Sequence, residues 1–262
     1  MCKETANDFK LAAMQPYFMP YVGYWQAISA VDKYILYGNL TFIKDAWMNR
    51  NRIRQKNGLV NIITVPLQRK SSNTLINDIQ IDNSFKWNEK LLKAILLNYS
   101  KAEYFDEIYP LMEQLFTQRY DTLMQLNAQT ICDVANFLEI KTEIDYDNSR
   151  YLEMEEILKD IEADYSKLPY LEKTRPIRKV ARVFEFCRRE NSKHFINAIG
   201  GRELYDKDEF AQYGIKLEFV ETHHIEYNQF GNPFEPNLSI IDVLMHNGKE
   251  RTQQLLNEYT LV

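Results

Sequence analysis

An open α/β fold, a Rossmann-like and mostly parallel sheet with a largely helical insertion, is the expectation for this chain of 262 residues. Three observations carry it. Near the N-terminus, Phe9 to Arg52 runs strand, loop, helix, strand, the grammar of a βαβ unit. A second such unit, HFINAIGG followed by a helical pattern and YGIKLEFV, lies near the other end. Between the two, apolar residues recur at helical spacing.

Met1 to Asp8 reads as a loose leader. Leu11 to Met14 is the first strand, stopped at Gln15-Pro16, and an aromatic, proline-punctuated turn leads to Gly23. Tyr24, Ile28 and Val31 then mark one helix face, and Tyr34 to Tyr37 is the second strand, ended by Gly38-Asn39. Ile53 to Gly58 reads as a turn, Leu59 to Pro66 as a strand, Leu67 to Asn77 as a polar loop, and Ile76 to Ile81 as a short strand. Asn83-Ser84 suits a helix cap, with Trp87, Leu91, Leu92, Ile95 and Leu96 as the apolar set of a helix reaching Tyr99. Further helices are expected over Glu103 to Phe116 and Asp121 to Leu138. These helices form either a subdomain or a cover on one face of the sheet.

Ile140 to Ile144 is a strand or a connector, and Glu153 to Ile161 a short acidic helix. Ser166 to Leu171 breaks regular structure. Pro176 suits a first helical position, and Ile177 to Asn191 reads as a basic helix with Val180, Val183, Phe184 and Cys187 inward. His194 to Ile199 is a strand closed by Gly200-Gly201. A helix over Asp206 to Tyr213 stops at Gly214, and Ile215 to Val220 follows as a strand. After an aromatic loop, Leu238 opens a terminal helix interrupted near Asn247-Gly248, and a last amphipathic piece reaches Tyr259. The expected division is a split α/β domain, residues 1–82 and 166–262, around a helical insertion, 83–165.

Composition excludes several classes. A net charge of −5 and a pI near 5.5 speak against a general nucleic-acid binder, with a local basic patch left open. Three scattered cysteines make neither a disulfide framework nor a CxxC metal site. No apolar run reaches membrane-spanning length and the N-terminus lacks a signal-peptide core, so a soluble, cytoplasmic protein is expected. Neither GxGxxG nor GxxxxGK[ST] occurs.

Candidate chemistry concentrates in four places. Gln15-Pro16-Tyr17, with Pro20 and Gly23, forms a stiff loop before a helix start, and helix N-termini favour anions. The loop resembles the P-x-x-P-x-x-G-H segment of class I nucleotidyl-transfer folds, with Tyr24 where the histidine is expected; tight packing is the bland alternative. Lys44, Trp47, Asn49, Arg50, Asn51 and Arg52 combine planar donors with a stacking face suited to a diphosphate, carboxylate or sugar, against the alternative of a solvated turn. Gly200 and Gly201 would let a ligand approach backbone closely, or make a plain turn. Finally, His223, adjacent to His224 and near Glu221 and Glu226, is a candidate general base. Gln229 lies in the aromatic loop, Ser239 suits a helix cap, and Asp242 is either part of that helix entry or a catalytic carboxylate. No metal site is expected, since adjacent histidines on a strand point apart.

The segments QPYFMPYVGYWQAISAVDKYILY, W-x-N-R-N at Trp47 to Asn51, INAIGGRELY and PNLSIIDVLMHNG resemble, in order and over nearly the whole chain, the WbqC-like family. The matching positions are Gln15, Pro16, Pro20, Gly23, Asn49, Arg50, Asn51, Gly200, Gly201, Ser239, Asp242 and Asn247-Gly248. Members sit among bacterial O-antigen and other surface-polysaccharide genes, and some are proposed to transfer glycine or another acyl group to a nucleotide-linked amino sugar. The resemblance implies a cytoplasmic transferase of that kind. Arg50 and Asn51 would hold the diphosphate or carboxylate, the Gln15 loop, with Tyr17 and Tyr24, would position the donor, and Asp242 or His223 would take the amine proton. The implied partners are a nucleotide sugar and an acyl or aminoacyl donor, with nucleic acid only if a charged tRNA is the donor, and with a second copy of the chain left open. No cofactor is assigned; an adenylate donor implies ATP and magnesium. The alternatives are a non-catalytic nucleotide-sugar-binding partner of a biosynthetic complex, or a nucleotidyltransferase-like enzyme.

Overall fold

The computed structural model describes residues 9–68, 73–160, 167–168, 170, 177–231 and 233–262. The leader, Arg69 to Ser72, most of the 161–176 segment and Pro176 lie outside the described residues. In chain order the main elements are β1 (Lys10–Met14), α1 (Val22–Ser29), β2 (Lys33–Leu36), β3 (Arg50–Arg54), β4 (Val60–Thr64) and α2 (Trp87–Tyr99). Then come α3 (Phe105–Thr117), α4 (Leu123–Phe137), β5 (Glu143–Asp145), α5 (Leu152–Lys159) and α6 (Arg178–Arg189). The chain closes with β6 (His194–Ala198), α7 (Lys207–Gln212), β7 (Lys216–Thr222), α8 (Ile240–Leu255) and β8 (Tyr259–Leu261).

Six strands form the central sheet in the order β5-β2-β1-β6-β7-β8. The first five are parallel to their neighbours, and β8 closes the β7 edge antiparallel. The protein is therefore α/β, with both expected βαβ units in place. Alternation along each strand sends side chains to two cores. Ala12, Tyr34, Leu36, Ile196 and Val220 join α1 to α4 and α8 in one apolar cluster. Leu11, Ile35, Phe195, Leu217 and Phe219 join α5, α6 and α7 in the other. Burial on both faces is why the strands read as short, continuous apolar runs.

Three local expectations are corrected. Ile53 and Arg54, expected in a turn, belong to β3, which pairs antiparallel with β4 in a separate two-stranded ribbon. Ile53 is fully buried and the flanking arginines find partners, so tertiary contacts override the polar character of the stretch. Ile76 to Ile81 is not a regular strand: Ile76–Asp78 is a 3-10 turn, and Gln80 and Ile81 make only isolated antiparallel bridges, to Thr122 and Leu67, while the isoleucines are buried. The last amphipathic piece is the second half of α8, and beyond it Tyr259–Leu261 adds an unexpected strand, β8, where Phe219 and Val262 exchange backbone hydrogen bonds of 2.9 and 3.0 Å along the free edge of β7. The expected break in the terminal helix is real: Gly248 has φ 63° and ψ −171° inside α8.

Candidate functional site

The connections from β1 run outward to β2 and then β5, whereas β6 returns on the other side of β1 and leads on to β7. Adjacent strands whose connections leave in opposite directions create a crevice at their carboxyl ends, the usual ligand position in open α/β sheets. A cleft of about 1190 Å³ lies there. Its floor is Met14-Gln15 after β1, Asn197 to Gly201 after β6, and Val220 to Thr222 at the end of β7. One wall, from the β3 side, carries Trp47, Asn51, Arg52 and Asn237; the other, from α6, carries Lys179, Arg182 and Phe186. Gln15 and the Asn51–Arg52 cluster, far apart in sequence, therefore share one cavity.

The loop between β1 and α1 is held almost carbonyl by carbonyl. The Tyr24 hydroxyl donates to Gln15 O at 2.9 Å, and Asn127 Nδ2 donates to Pro16 O at 2.9 Å. Asn51 Nδ2 reaches Phe18 O and Met19 O at 2.9 and 2.7 Å, and Ser239 Oγ donates to Met19 O at 2.8 Å. Trp25 Nε1 and the Ile240 amide both donate to Pro20 O at 3.0 Å. Met19 sits at φ 44°, a conformation disfavoured for a branched-free side chain in isolation and sustained here by those bonds. Gly23 is required by close approach, since a Cβ there would lie 2.6 Å from the Tyr21 ring and 3.0 Å from Thr222 Oγ1. The result is a preorganised loop whose Gln15, Tyr17, Tyr21 and Gly23 face the cleft.

The residues singled out by sequence distribute unevenly over this geometry. Gln15, Tyr17, Trp47, Asn51, Gly200 and Gly201 line the cleft. Tyr24 is buried beneath it as a support for Gln15, and burial pushes its phenol well up, so it remains a donor. Asn51 spends both Nδ2 hydrogens on the loop, which makes it a staple between β3 and that loop. Asn49 donates across the ribbon to Val65 O at 2.9 Å. Arg50 turns to Asp45, at 3.0 Å from Oδ1 and in contact with its carbonyl, and Lys44 is exposed beyond the lining.

Neither proposed base lines the cleft. His223 Nε2 lies 2.7 Å from Thr260 Oγ1 on the β7–β8 edge. Asp242 is fully buried and accepts from Tyr99 Oη at 2.6 Å, Tyr227 Oη at 2.9 Å and Gln229 Nε2 at 3.2 Å. Burial first, then the Asp242 charge, raise both phenols well above their ordinary value, so both stay protonated donors to that carboxyl. Gln229 in turn accepts from Arg54 Nη1 at 2.8 Å. This buried network fixes the loop before α8 from behind.

Arg52, expected in the donor cluster, lines the cleft from the strand that carries Arg50. Two residues that sequence reasoning did not place in the site, Lys179 and Arg182, complete it. Arg182 lines the opposite wall and grips Glu155 through two hydrogen bonds, of 2.5 and 3.0 Å, while Tyr37 donates to the same carboxylate at 2.6 Å. Burial works against the charged form of Glu155, but these partners and Arg178 outweigh it and hold the carboxyl below its ordinary value. Lys179 makes no hydrogen bond or ion pair among the described residues. Glu221 is the one carboxylate among the described lining residues. The detectable signals were a basic i, i+3 pair on an amphipathic helix, and, for Asn127, a polar pair with Thr130 on the otherwise apolar buried face of α4. No group of three His, Cys, Asp or Glu among the described residues could hold a metal. No helix among them is long and apolar enough to cross a membrane.

Sheet order, crevice and cationic aromatic walls define an open-sheet α/β protein with a large cleft at its topological switch point. The WbqC-like protein family matches residues 15–254, and the chain belongs to that family. It is 28% identical over 249 residues, 94% of this chain and 97% of the relative, to uncharacterized protein Rv1507c of Mycobacterium tuberculosis (strain ATCC 25618 / H37Rv). No solved structure matches.

Proposed function

We propose that the cleft binds a nucleotide-linked amino sugar and that the protein transfers an aminoacyl or acyl group to the sugar's amine, as a step in surface-polysaccharide synthesis. The observation that carries this reading is the cleft itself. Its volume, about 1190 Å³ and above the usual range for a single ligand, suits a nucleotide sugar with a second substrate. Trp47, Tyr17 and Tyr205 offer faces for a base and a sugar ring, and Arg52, Lys179 and Arg182 offer charge for a diphosphate. In the proposed step the neutral amine attacks the acyl carbonyl. A C–N bond forms, and the bond from the acyl carbon to the donor's oxygen or sulfur breaks. The nitrogen's proton passes to Glu221, chosen because it lines the cleft, and then to the departing group. Asp242 and Gln229 keep a supporting role behind the loop.

The saturation of Asp242 by three donors favours a second reading, binding without turnover by a partner protein of a biosynthetic complex. Thermal melting against UDP- and dTDP-linked amino sugars, followed by mass spectrometry with acyl-coenzyme A and aminoacyl-adenylate donors, separates the two. At a hundredfold excess over Kd a ligand contributes about 2.7 kcal/mol, which for a chain of this size raises the melting temperature by roughly 5–10 °C. A rise plus a mass gain of one acyl group supports transfer, and a rise alone supports the partner. No rise with any nucleotide sugar contradicts both.

A further inference from the structure

We infer that Arg52 is the anion-binding residue of the cleft and that the Glu235 carboxylate occupies the ligand's anionic position until a ligand displaces it. The inference rests on the cleft being the ligand site. Arg52 Nη1 donates to Glu235 Oε1 at 2.8 Å, and Nη2 donates to the carbonyls of Pro236 and Asn237 at 3.0 and 3.3 Å. The guanidinium also stands 6.0 Å from the centre of the Trp47 ring. A fork oriented by backbone carbonyls, beside an aromatic face, is how a planar cation recognises a phosphate attached to a ring. Arg50, two residues along the same strand, is engaged by Asp45 instead.

Glu235 is mounted so that its side chain alone needs to move. Gln229 clamps its backbone on both sides, accepting from Glu235 N at 2.9 Å and donating to Glu235 O at 3.0 Å. Gln229 is itself fixed by Arg54 and by buried Asp242. Beyond Asn237, at φ 57°, the Ser239 amide donates to Arg52 O at 2.8 Å and anchors the loop's far end to β3. Between those anchors the carboxylate can swing into solvent while the backbone stays. The side chains of Arg52 and Glu235 are 28% and 33% exposed, and pairs of that kind hold weakly. A diphosphate, carrying more charge and more acceptor oxygens than one carboxylate, outcompetes Glu235 for the fork. The ligand class this selects is a diphosphate next to a planar ring, the shared chemistry of nucleoside diphosphates and nucleotide sugars.

Isothermal titration of UDP and of inorganic pyrophosphate into the wild-type chain, E235Q, R52A and the double variant tests this. Removing the competing charge in E235Q is expected to tighten UDP two- to fivefold, the range a part-exposed ion pair spans. R52A is expected to weaken it at least tenfold, and E235Q is expected to add nothing in the R52A background. Unchanged affinity in E235Q, or the same gain without Arg52, overturns the inference while leaving the nucleotide-sugar reading in place. Pyrophosphate binding that follows this pattern without any UDP binding keeps Arg52 as the anion site and overturns the nucleotide reading. Binding of neither by any variant overturns the inference as well. Circular dichroism verifies folding, and Glu235→Ser repeats the test should E235Q fail to fold.

Discussion

Replacing Gly248 by alanine is expected to lower stability by about 3 kcal/mol or more, the combined cost of a forbidden backbone conformation and an overpacked contact. At φ 63° and ψ −171° the residue occupies a region open essentially to glycine alone. An added Cβ would also lie 2.3, 2.7 and 2.9 Å from ring atoms of Tyr104, whose backbone amide donates to Met245 O at 3.2 Å. Gly214 supplies the control. It has φ 69° but nothing within 4 Å of an added Cβ, so Gly214→Ala should cost only the positive φ, about 1–2 kcal/mol. Urea unfolding of the two variants measures the difference, and equal losses would sink the packing explanation. The kink matters to the site because it lets one helix serve two ends. The half before Gly248 carries Asp242, and the half after it ends where Gln26 Nε2 donates to Leu255 O at 2.8 Å.

Asp242→Ala is expected to be about as damaging, and through a different mechanism. Removing the carboxyl leaves the hydroxyls of Tyr99 and Tyr227 and one Gln229 hydrogen without their acceptor in a fully buried position. Each orphaned buried donor costs roughly 1–3 kcal/mol, so a total of about 3 kcal/mol or more is expected in urea unfolding. Were Asp242 a solvent-facing catalytic base, the same variant would lose turnover with its unfolding midpoint unchanged, and that outcome would contradict the supporting role.

The parts of this protein written in local pattern were the legible ones. β1, β2, β6 and β7 show as apolar runs because both their faces are buried, and the Asn247-Gly248 break shows because few residues other than glycine tolerate that geometry. The β3–β4 ribbon was half hidden. Arg50, Arg52 and Arg54 look like a solvated turn, yet Arg52 and Arg54 find acceptors supplied by distant chain, Glu235 and Gln229, while Arg50 pairs with Asp45 five residues back. Which of two neighbouring arginines enters the cleft depends in part on those distant acceptors. The convergence of Gln15 with the Trp47–Arg52 stretch could be argued from the position of ligand sites in open sheets. The contributions of Asn127, Lys179 and Arg182 could not, because they arrive through helices whose docking is set by the two cores.

The cleft's role is most directly tested by hydrogen exchange read by mass spectrometry, with and without a saturating UDP-linked amino sugar. Slower exchange is expected in peptides covering Gln15 to Gly23 and Asn197 to Glu203, the two strand exits that flank the switch point. Protection confined to other segments would contradict the assignment of this cleft as the nucleotide-sugar site.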